Sequence, residues 1–120
     1  MNAHPATLTV DAEQRGDVKV IRPSGAMDYW SISPLRDELN RHLTADRPKV
    51  VLDLHGVPFC DSSGLGLLLT AQQRANAAGG WLRAARPHLQ LRRMLAVTRL
   101  DRHIDSYRSI RDAIDGKHKS

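Results

Sequence analysis

The sequence predicts a single α/β domain in which strands and helices alternate along the chain. Short apolar runs of strand length are separated by longer segments with helical spacing, and the links between them are short. A length of 120 residues, with 41% hydrophobic and 26% charged side chains, is typical of one domain with its own hydrophobic core. The predicted domain spans residues 1–120, with a core from about residue 7 to about residue 115.

The first two strands are predicted to form a hairpin. Residues 7–10 alternate polar and apolar side chains, and a second strand begins at Val18 and runs into a turn at residues 23–25. Gly16 and Asp17 lie between them, and this pair of residue types is a hairpin signal.

The first helix is predicted to begin at Ser33, which can act as N-cap, with Pro34 at the first helical position. Apolar side chains then recur every four residues, at Leu35, Leu39 and Leu43. Asp37 and Arg41 are spaced for an ion pair on another face. The helix should end before Pro48, because a proline disfavours the α conformation at the residue before it.

The remaining elements follow the same alternation. In chain order they are a strand at residues 50–54, a helix at 65–78 that ends at Gly79-Gly80, a strand at 81–85, a helix that opens at Pro87, a short extended piece at 103–104, a last helix at about 107–114 and a disordered tail at 116–120.

The charge of the chain is concentrated in its last third. Residues 1–82 carry eight lysines and arginines against nine acidic residues, whereas residues 83–120 carry ten against four. Aromatic residues are only 4% of the chain, so few side chains are available to stack on nucleic-acid bases. A solvated basic helix face therefore explains this charge better than a nucleic-acid site, and no direct nucleic-acid partner is expected.

The single cysteine excludes a disulfide scaffold, and Cys60 is interpreted as a small buried hydrophobe rather than a redox sensor. The sequence contains no apolar run of membrane-spanning length and no signal-peptide pattern, so we expect a cytoplasmic protein without a membrane partner.

No motif for catalysis, metal binding or nucleotide binding is present. The six histidines show no ligand spacing, no GxSxG elbow surrounds a serine, and no GxxxxGK[ST] loop or dinucleotide fingerprint occurs. We therefore expect a non-enzymatic protein without a cofactor or a metal. Trp30 and Trp81 are interpreted as packing groups, although an exposed Trp30 beside Asp28 would serve as a binding anchor.

The most informative segment is residues 51–66, VLDLHGVPFCDSSGLG. A buried strand leads into a tight turn, Asp61-Ser62-Ser63-Gly64, that opens a helix. Two interpretations follow from these residue types. The polar side chains can simply cap the helix, or a serine on this turn can accept a phosphate, which the free amides and the helix dipole would favour.

The pattern Phe59-Cys60-Asp61-Ser62-Ser63-Gly64-Leu65 resembles the signature of STAS domains, specifically of bacterial anti-sigma factor antagonists. Residues 25–28 resemble the family's Gly-Glu-Leu-Asp element, and residues 86–101 resemble its third helix and the segment after it. The resemblance covers residues 7–115 and implies a mixed sheet of four to five strands with about four helices packed largely on one side.

The resemblance also implies a function. Members of this family bind an anti-sigma factor, a serine kinase of the GHKL type, and are released when that kinase phosphorylates the serine after the aspartate; a serine phosphatase reverses this step. Carried over residue by residue, Ser62 is the phosphoacceptor and Ser63 its helix-capping neighbour. The partner surface would consist of Asp28, Asp61, Ser63, Gly64 and Leu65. The protein would be a monomer or a weak dimer.

Three residues depart from the family pattern, and one of them is Cys60, which stands where a bulkier apolar residue such as methionine is common. Ala26 replaces an acidic residue, and Arg99 replaces a glycine near the end of the third helix. If position 99 is left-handed, its side chain costs about 1–2 kcal/mol. The alternative function within the same fold is a scaffold that does not switch, either a stressosome component or a lipid-transporter subunit, in which Ser62 is only part of a cap.

Overall fold

A computed structural model describes residues 8–120, which form layers of helices on both faces of one five-stranded sheet. The strands are β1 (Thr9–Arg15), β2 (Val18–Ser24), β3 (Lys49–Asp53), β4 (Trp81–Ala85) and β5 (Ser106–Tyr107). The helices are α1 (Ser33–Leu43), α2 (Ser62–Ala77), α3 (Leu89–Val97) and α4 (Ile110–Asp115), with a 3₁₀ turn at Leu100–Arg102. The predicted α/β class is confirmed.

The sheet is mixed, and its strand order follows the chain from β1 to β5. β1 and β2 are antiparallel and are joined at Gly16-Asp17, with Arg15 opposite Val18, so the predicted hairpin is confirmed. All other neighbouring strands are parallel. Because parallel strands end at the same side of a sheet, the segments after β2, β3, β4 and β5 leave from one edge, here named the carboxyl edge.

Successive strand residues point to opposite faces of the sheet and meet different helices. One face, which includes Ile21 and Leu52, packs against buried leucines of α1, α2 and α3. The other face, which includes Val20 and Val51, is covered by α4 and by Tyr107. Three of the four described helices thus share one face, as predicted, and α4 covers the other.

The bounds of several elements differ from the predicted ones. β1 continues to Arg15, well past the predicted end at Val10, and Thr7 lies outside the described residues. α2 begins at Ser62 rather than Leu65, because the polar turn residues already belong to its first turn.

α1 begins where predicted but not with the predicted cap. Ile32 occupies the N-cap position and makes no side-chain cap hydrogen bond, so Ser33 is not the cap. The expected pair between Asp37 and Arg41 is also wrong, since Arg41 pairs with Glu38 one turn away.

The C-terminal elements begin later than predicted. α3 starts after Pro87, with His88 at its N-cap. The extended piece expected at residues 103–104 lies instead at β5, where two residues pair with the end of β4. α4 follows Ser109, whose hydroxyl accepts a hydrogen bond from the Asp112 N–H at 3.0 Å. This capping pattern was readable from the sequence and defines the true start of the helix.

The predicted disorder of residues 116–120 is not what the structure shows. The Ser120 N–H donates to the Ser106 carbonyl at 2.9 Å, and Lys119 Nζ lies 3.2 Å from the Asp105 carboxylate. The segment therefore folds back along β5.

The predicted end of α2 at Gly79-Gly80 is confirmed. Gly79 has a φ of +82°, and its N–H donates to the Asn76 carbonyl, while the Gly80 N–H donates to the Ala75 carbonyl at 2.8 Å. This pair of hydrogen bonds is a Schellman motif, which needs a left-handed residue that glycine supplies without strain.

Candidate functional site

The turn that opens α2, here named the Ser62 turn (residues 61–64), is held against the segment that follows β2. Met27 and Cys60 form a parallel β-bridge. The Met27 N–H donates to the Phe59 carbonyl at 3.0 Å, and the Met27 carbonyl accepts from the first N–H of the turn at 3.2 Å. The bridge brings Asp28 to the same end of the domain as the Ser62 turn.

Asp61 is the N-cap of α2. One carboxylate oxygen accepts from the Ser63 N–H at 2.8 Å and from the Gly64 N–H at 3.1 Å. The other accepts from the Tyr29 N–H at 3.1 Å, across the bridge. The capping role expected for Ser63 therefore belongs to Asp61, whose carboxylate reaches two of the free amides of the first turn.

Ser62 is the first helical residue and is exposed. Within residues 8–120 its hydroxyl forms no hydrogen bond, whereas the amides of the turn already have Asp61 as acceptor. Ser62 therefore contributes nothing to capping, and its hydroxyl is available to a partner molecule.

Ser63 faces a different environment from Ser62. It is half-buried and lines a groove of about 260 Å³ between α1 and α2, together with Arg36, Thr70 and Arg74. The neighbouring helix thus restricts access to the Ser63 hydroxyl more than to that of Ser62.

Gly64 and Leu65, which we expected to contact a partner, are both buried. A Cβ at position 64 would lie 2.3 Å from the Met27 carbonyl oxygen and 2.6 Å from Cys60 Sγ. Gly64 is therefore required for close approach of the two segments, and Leu65 belongs to the core. Both residues support the Ser62 turn from below.

Exposed aromatic side chains lie on the two segments that the Met27–Cys60 bridge joins at the Ser62 turn. The Asp28 carboxylate accepts from the Ser31 N–H at 2.9 Å and so shapes the loop that carries Tyr29 and Trp30. These two rings pack edge to face at 5.1 Å, and each residue is 66% exposed, so Trp30 is not a packing group. Phe59 is 48% exposed, although sequence analysis did not single it out.

Gln90 of α3 fixes the residue that precedes the turn, which sequence analysis also missed. Its side-chain oxygen accepts from the Cys60 N–H at 2.9 Å, and its side-chain nitrogen donates to the Cys60 carbonyl at 2.8 Å. No local pattern reveals this contact, because thirty positions separate the two residues.

Cys60 is buried, and its thiol is not poised for chemistry. Burial, together with the nearby charge of Asp61, raises its pKa to about 12. Because only the thiolate is reactive, this agrees with the interpretation of Cys60 as a small hydrophobe.

An ion pair between a buried aspartate and a partly exposed arginine joins the ends of β3 and β4. Asp53, only 3% exposed, accepts from Arg86 Nε at 3.0 Å and from Arg86 Nη2 at 2.7 Å. Burial alone would raise the pKa of Asp53, but hydrogen bonds from Arg86 and the His55 N–H, and the charges of Arg86 and Arg22, hold it below its ordinary value. A carboxylate within the apolar run of β3 is the sequence signal that Asp53 needs a polar partner, although it does not identify Arg86 as that partner.

Two structural observations concern other kinds of site. Among residues 8–120, no group of three or more histidine, cysteine, aspartate or glutamate side chains is placed to hold a metal ion. In the same part of the chain, no helix has the length and apolar character needed to cross a membrane.

Comparison with known proteins matches residues 9–113 to the sequence profile of the STAS domain. The anti-sigma F factor antagonist of Paenibacillus polymyxa is 30% identical over 74 residues, which are 61% of this chain and 63% of that protein. The chain thus spans less than two thirds of the length of this curated relative.

Solved structures share the fold along nearly the whole chain. The crystal structure of an anti-sigma factor antagonist from Mycobacterium paratuberculosis has a TM-score of 0.83 and 25% identity, and the match covers 96% of this chain and 97% of that one. The Bacillus cell fate determinant SpoIIAA in its phosphorylated form has a TM-score of 0.69 and 21% identity, covering 90% and 98%. These likenesses confirm the predicted mixed-sheet architecture.

Proposed function

The chain belongs to the STAS domain family, and from this premise we propose that it is an anti-sigma factor antagonist that switches on Ser62. Its partner would be an anti-sigma factor with serine kinase activity of the GHKL type. The antagonist itself carries out no chemistry in this scheme: the kinase transfers the phosphate, and a separate serine phosphatase removes it. Such an exchange places the protein in the cytoplasm.

The observation that carries the proposal is the free hydroxyl of Ser62. A serine retained only as part of a cap would accept a hydrogen bond from an amide of the first turn. Asp61 already accepts from the Ser63 and Gly64 amides, and Ser62 is exposed without a hydrogen bond inside residues 8–120. This favours a switching antagonist over the scaffold in which Ser62 only caps the helix.

The surroundings of Ser62 support a protein partner. Tyr29, Trp30 and Phe59 are exposed near the turn, and large aromatic side chains are the residues that most often anchor interfaces. The backbone below them is rigid, because the Met27–Cys60 bridge and Gln90 hold both segments in place. A preformed surface of this kind loses little conformational freedom on binding.

Phosphorylation would act on this surface without unfolding it. A phosphate on Ser62 adds a charge of about −1.5 to −2. The positive end of the α2 dipole stabilises that charge, so the helix remains folded. For a partner that packs on a neutral hydroxyl, the same charge is unpaired and must be desolvated, which weakens the complex.

The proposal is tested with the cognate kinase and Mg-ATP, followed by phosphosite mapping and a binding measurement. We expect phosphate on Ser62 only, no phosphorylation of Ser62→Ala, and normal phosphorylation of the matched control Ser63→Ala. Ser62→Asp should lose affinity for the kinase, while Ser62→Ala should retain it. Trp30→Ala should weaken binding without changing the phosphorylation site.

Two results would contradict the proposal. Phosphate found on Ser63 would show that the wrong acceptor had been chosen. Equal kinase affinity of the Ser62→Asp and Ser62→Ala proteins would show that charge at this position does not control the complex, as expected for a scaffold.

A further inference from the structure

A second cleft opens at the carboxyl edge, away from the Ser62 turn. It has a volume of about 420 Å³ and lies beside the ends of β3, β4 and β5. Its lining includes five side chains that are cationic or can become so: His55, Arg86, His88, Arg92 and Arg108. No aspartate or glutamate is among the residues that line it.

The three arginines of the cleft differ in whether an acidic side chain neutralises their charge. Arg86 is held by both oxygens of Asp53 and is therefore neutralised. Arg92 and Arg108 are exposed, and within residues 8–120 neither forms an ion pair or a side-chain hydrogen bond. The cleft thus carries two guanidinium groups that form no ion pair in the described part of the protein, and Ser120, the last residue of the chain, also lines it.

The floor of the cleft is rigid. His88 Nε2 lies 2.6 Å from the His55 carbonyl, and since a carbonyl oxygen only accepts, this nitrogen donates. The two imidazole rings stack with centroids 5.7 Å apart. The Arg86 N–H donates to the Tyr107 carbonyl at 2.8 Å, which fixes β5 to the end of β4.

Arg86 also has an unusual backbone conformation. Its φ of +56° lies in the left-handed region, which a side chain rarely adopts. Strain of this kind persists where surrounding contacts determine it, and it occurs preferentially at functional sites. Here the bidentate contact with Asp53 holds Arg86 in this conformation at the cleft.

We propose that this cleft binds the phosphate group of a small phosphorylated molecule. Guanidinium groups recognise phosphate through paired, charge-assisted hydrogen bonds, and a dianion would neutralise both Arg92 and Arg108. The volume falls in the range of small-molecule sites and exceeds what one phosphate ion needs, so the phosphate would be esterified. This site is independent of the switch proposed for Ser62.

The test is an NMR titration of the full chain, without a C-terminal tag because Ser120 also lines the cleft. Inorganic phosphate and phenyl phosphate serve as probes at constant ionic strength. We expect amide shifts confined to residues 86–92 and 107–108, and tighter binding of phenyl phosphate than of inorganic phosphate. Ser62→Ala should titrate like the wild type, which separates this proposal from the switch.

Matched arginine variants identify the groups involved. Arg92→Gln and Arg108→Gln should each weaken phenyl phosphate binding about tenfold, because each removes a charge-assisted contact. Arg93→Gln and Arg111→Gln remove charges that are also exposed but lie outside the cleft, and they should leave the affinity within about twofold. All four residues are on the surface, so the variants should fold.

Three outcomes would overturn the proposal. Equal weakening by all four variants would indicate general attraction to a basic surface. Binding of a DNA duplex with shifts spread over α3 and α4 would indicate a nucleic-acid face. Binding of inorganic phosphate that is as tight as that of phenyl phosphate would rule out an esterified ligand.

Discussion

The first turns of α2 and α3 occupy equivalent places in the fold but differ in chemistry. Each helix follows a strand that ends at the carboxyl edge, α2 after β3 and α3 after β4. The α2 start is capped by the Asp61 carboxylate and presents the neutral Ser62 hydroxyl, and the two segments joined at this turn carry exposed aromatic side chains. The α3 start has His88 at its N-cap without a side-chain cap bond, and arginines surround it.

This difference shows how one sheet edge can serve two kinds of ligand. At α2 an internal carboxylate already satisfies the helix terminus, so the turn is rigid before any partner arrives. At α3 the protein provides arginine side chains, and in our proposal the bound ligand provides the anion. Three of the ten basic residues of 83–120, Arg86, Arg92 and Arg108, line the cleft beside the second helix start.

The largest expected effect comes from removing the ion pair between the two strands that precede these helices. Asp53→Asn would remove the buried carboxylate of this pair and leave the partly exposed Arg86 without its partner. We expect a cost of about 3 kcal/mol of unfolding free energy, because several charge-assisted hydrogen bonds are lost at a buried position. Urea denaturation at neutral pH measures this change. A loss below about 1 kcal/mol would show that Arg86 finds other compensation.

The same variant also tests the pKa of Asp53. Because this pKa is depressed in the folded protein, the stabilisation is present above the pKa of the unfolded carboxyl group, about 4, and is lost as the pH falls through the folded value. The difference in unfolding free energy between wild type and Asp53→Asn should therefore be constant near neutral pH and shrink in acid. A difference that grew in acid would contradict the depressed pKa.

The second-largest expected loss of unfolding free energy comes from forcing apart the two segments that meet at the Ser62 turn. Gly64→Ala places a Cβ against backbone of Met27, and we expect a loss of about 2–3 kcal/mol because that backbone must move. Gly66→Ala in the same helix is the matched control. Its Cβ would meet no atom within 4 Å, and alanine should stabilise the helix by about 0.5–1 kcal/mol. Equal effects of the two variants in urea denaturation would refute the close-approach argument.

Substitution of the two cap residues tests the comparison directly. Asp61→Ala removes the acceptor of three backbone N–H groups and should cost about 1–2 kcal/mol. His88→Ala removes no side-chain cap, and through loss of the hydrogen bond to the His55 carbonyl it should cost about 0.5–1 kcal/mol, less than Asp61→Ala. Thermal unfolding of both variants checks this, and a larger loss for His88→Ala would reverse our description of the two helix starts.

The smallest effect lies at the far end of α3. Arg99 has a φ of +65°, so the strain anticipated from the sequence at this position is present. Arg99→Gly should raise the unfolding free energy by about 1 kcal/mol, whereas Arg93→Gly inside the helix should lower it by about the same amount. Chemical denaturation shows whether each variant gains or loses unfolding free energy. A lower unfolding free energy in Arg99→Gly would mean that the arginine side chain makes a contact that stabilises the protein by more than the strain costs.

The sequence predicted elements whose signals are local. Leucine spacing identified α1, the Gly79-Gly80 pair identified the end of α2, and the Ser62 turn could be recognised from a few adjacent residues. β5 was misplaced because two residues are too short for a periodic pattern, and only pairing with β4 defines them.

Contacts between distant residues were not predictable from one sequence. Asp53 and Arg86 are 33 positions apart, and nothing near either residue reveals the other. The exposure of Phe59 was missed for a similar reason, since only the packed structure determines which apolar loop residue remains outside. The candidate site could therefore be located from its sequence motif. Its exposed residues and its supporting contacts could be identified only from the folded structure.

The contact between Gln90 and Cys60 has a consequence for local unfolding. One side chain hydrogen-bonds both the N–H and the carbonyl of Cys60, as a neighbouring strand would. The Cys60 amide therefore loses its acceptor when α3 opens, even if β3 remains paired. In hydrogen exchange it should be protected to the same degree as α3, so the residue beside the Ser62 turn belongs to the cooperative unit of a helix thirty positions away.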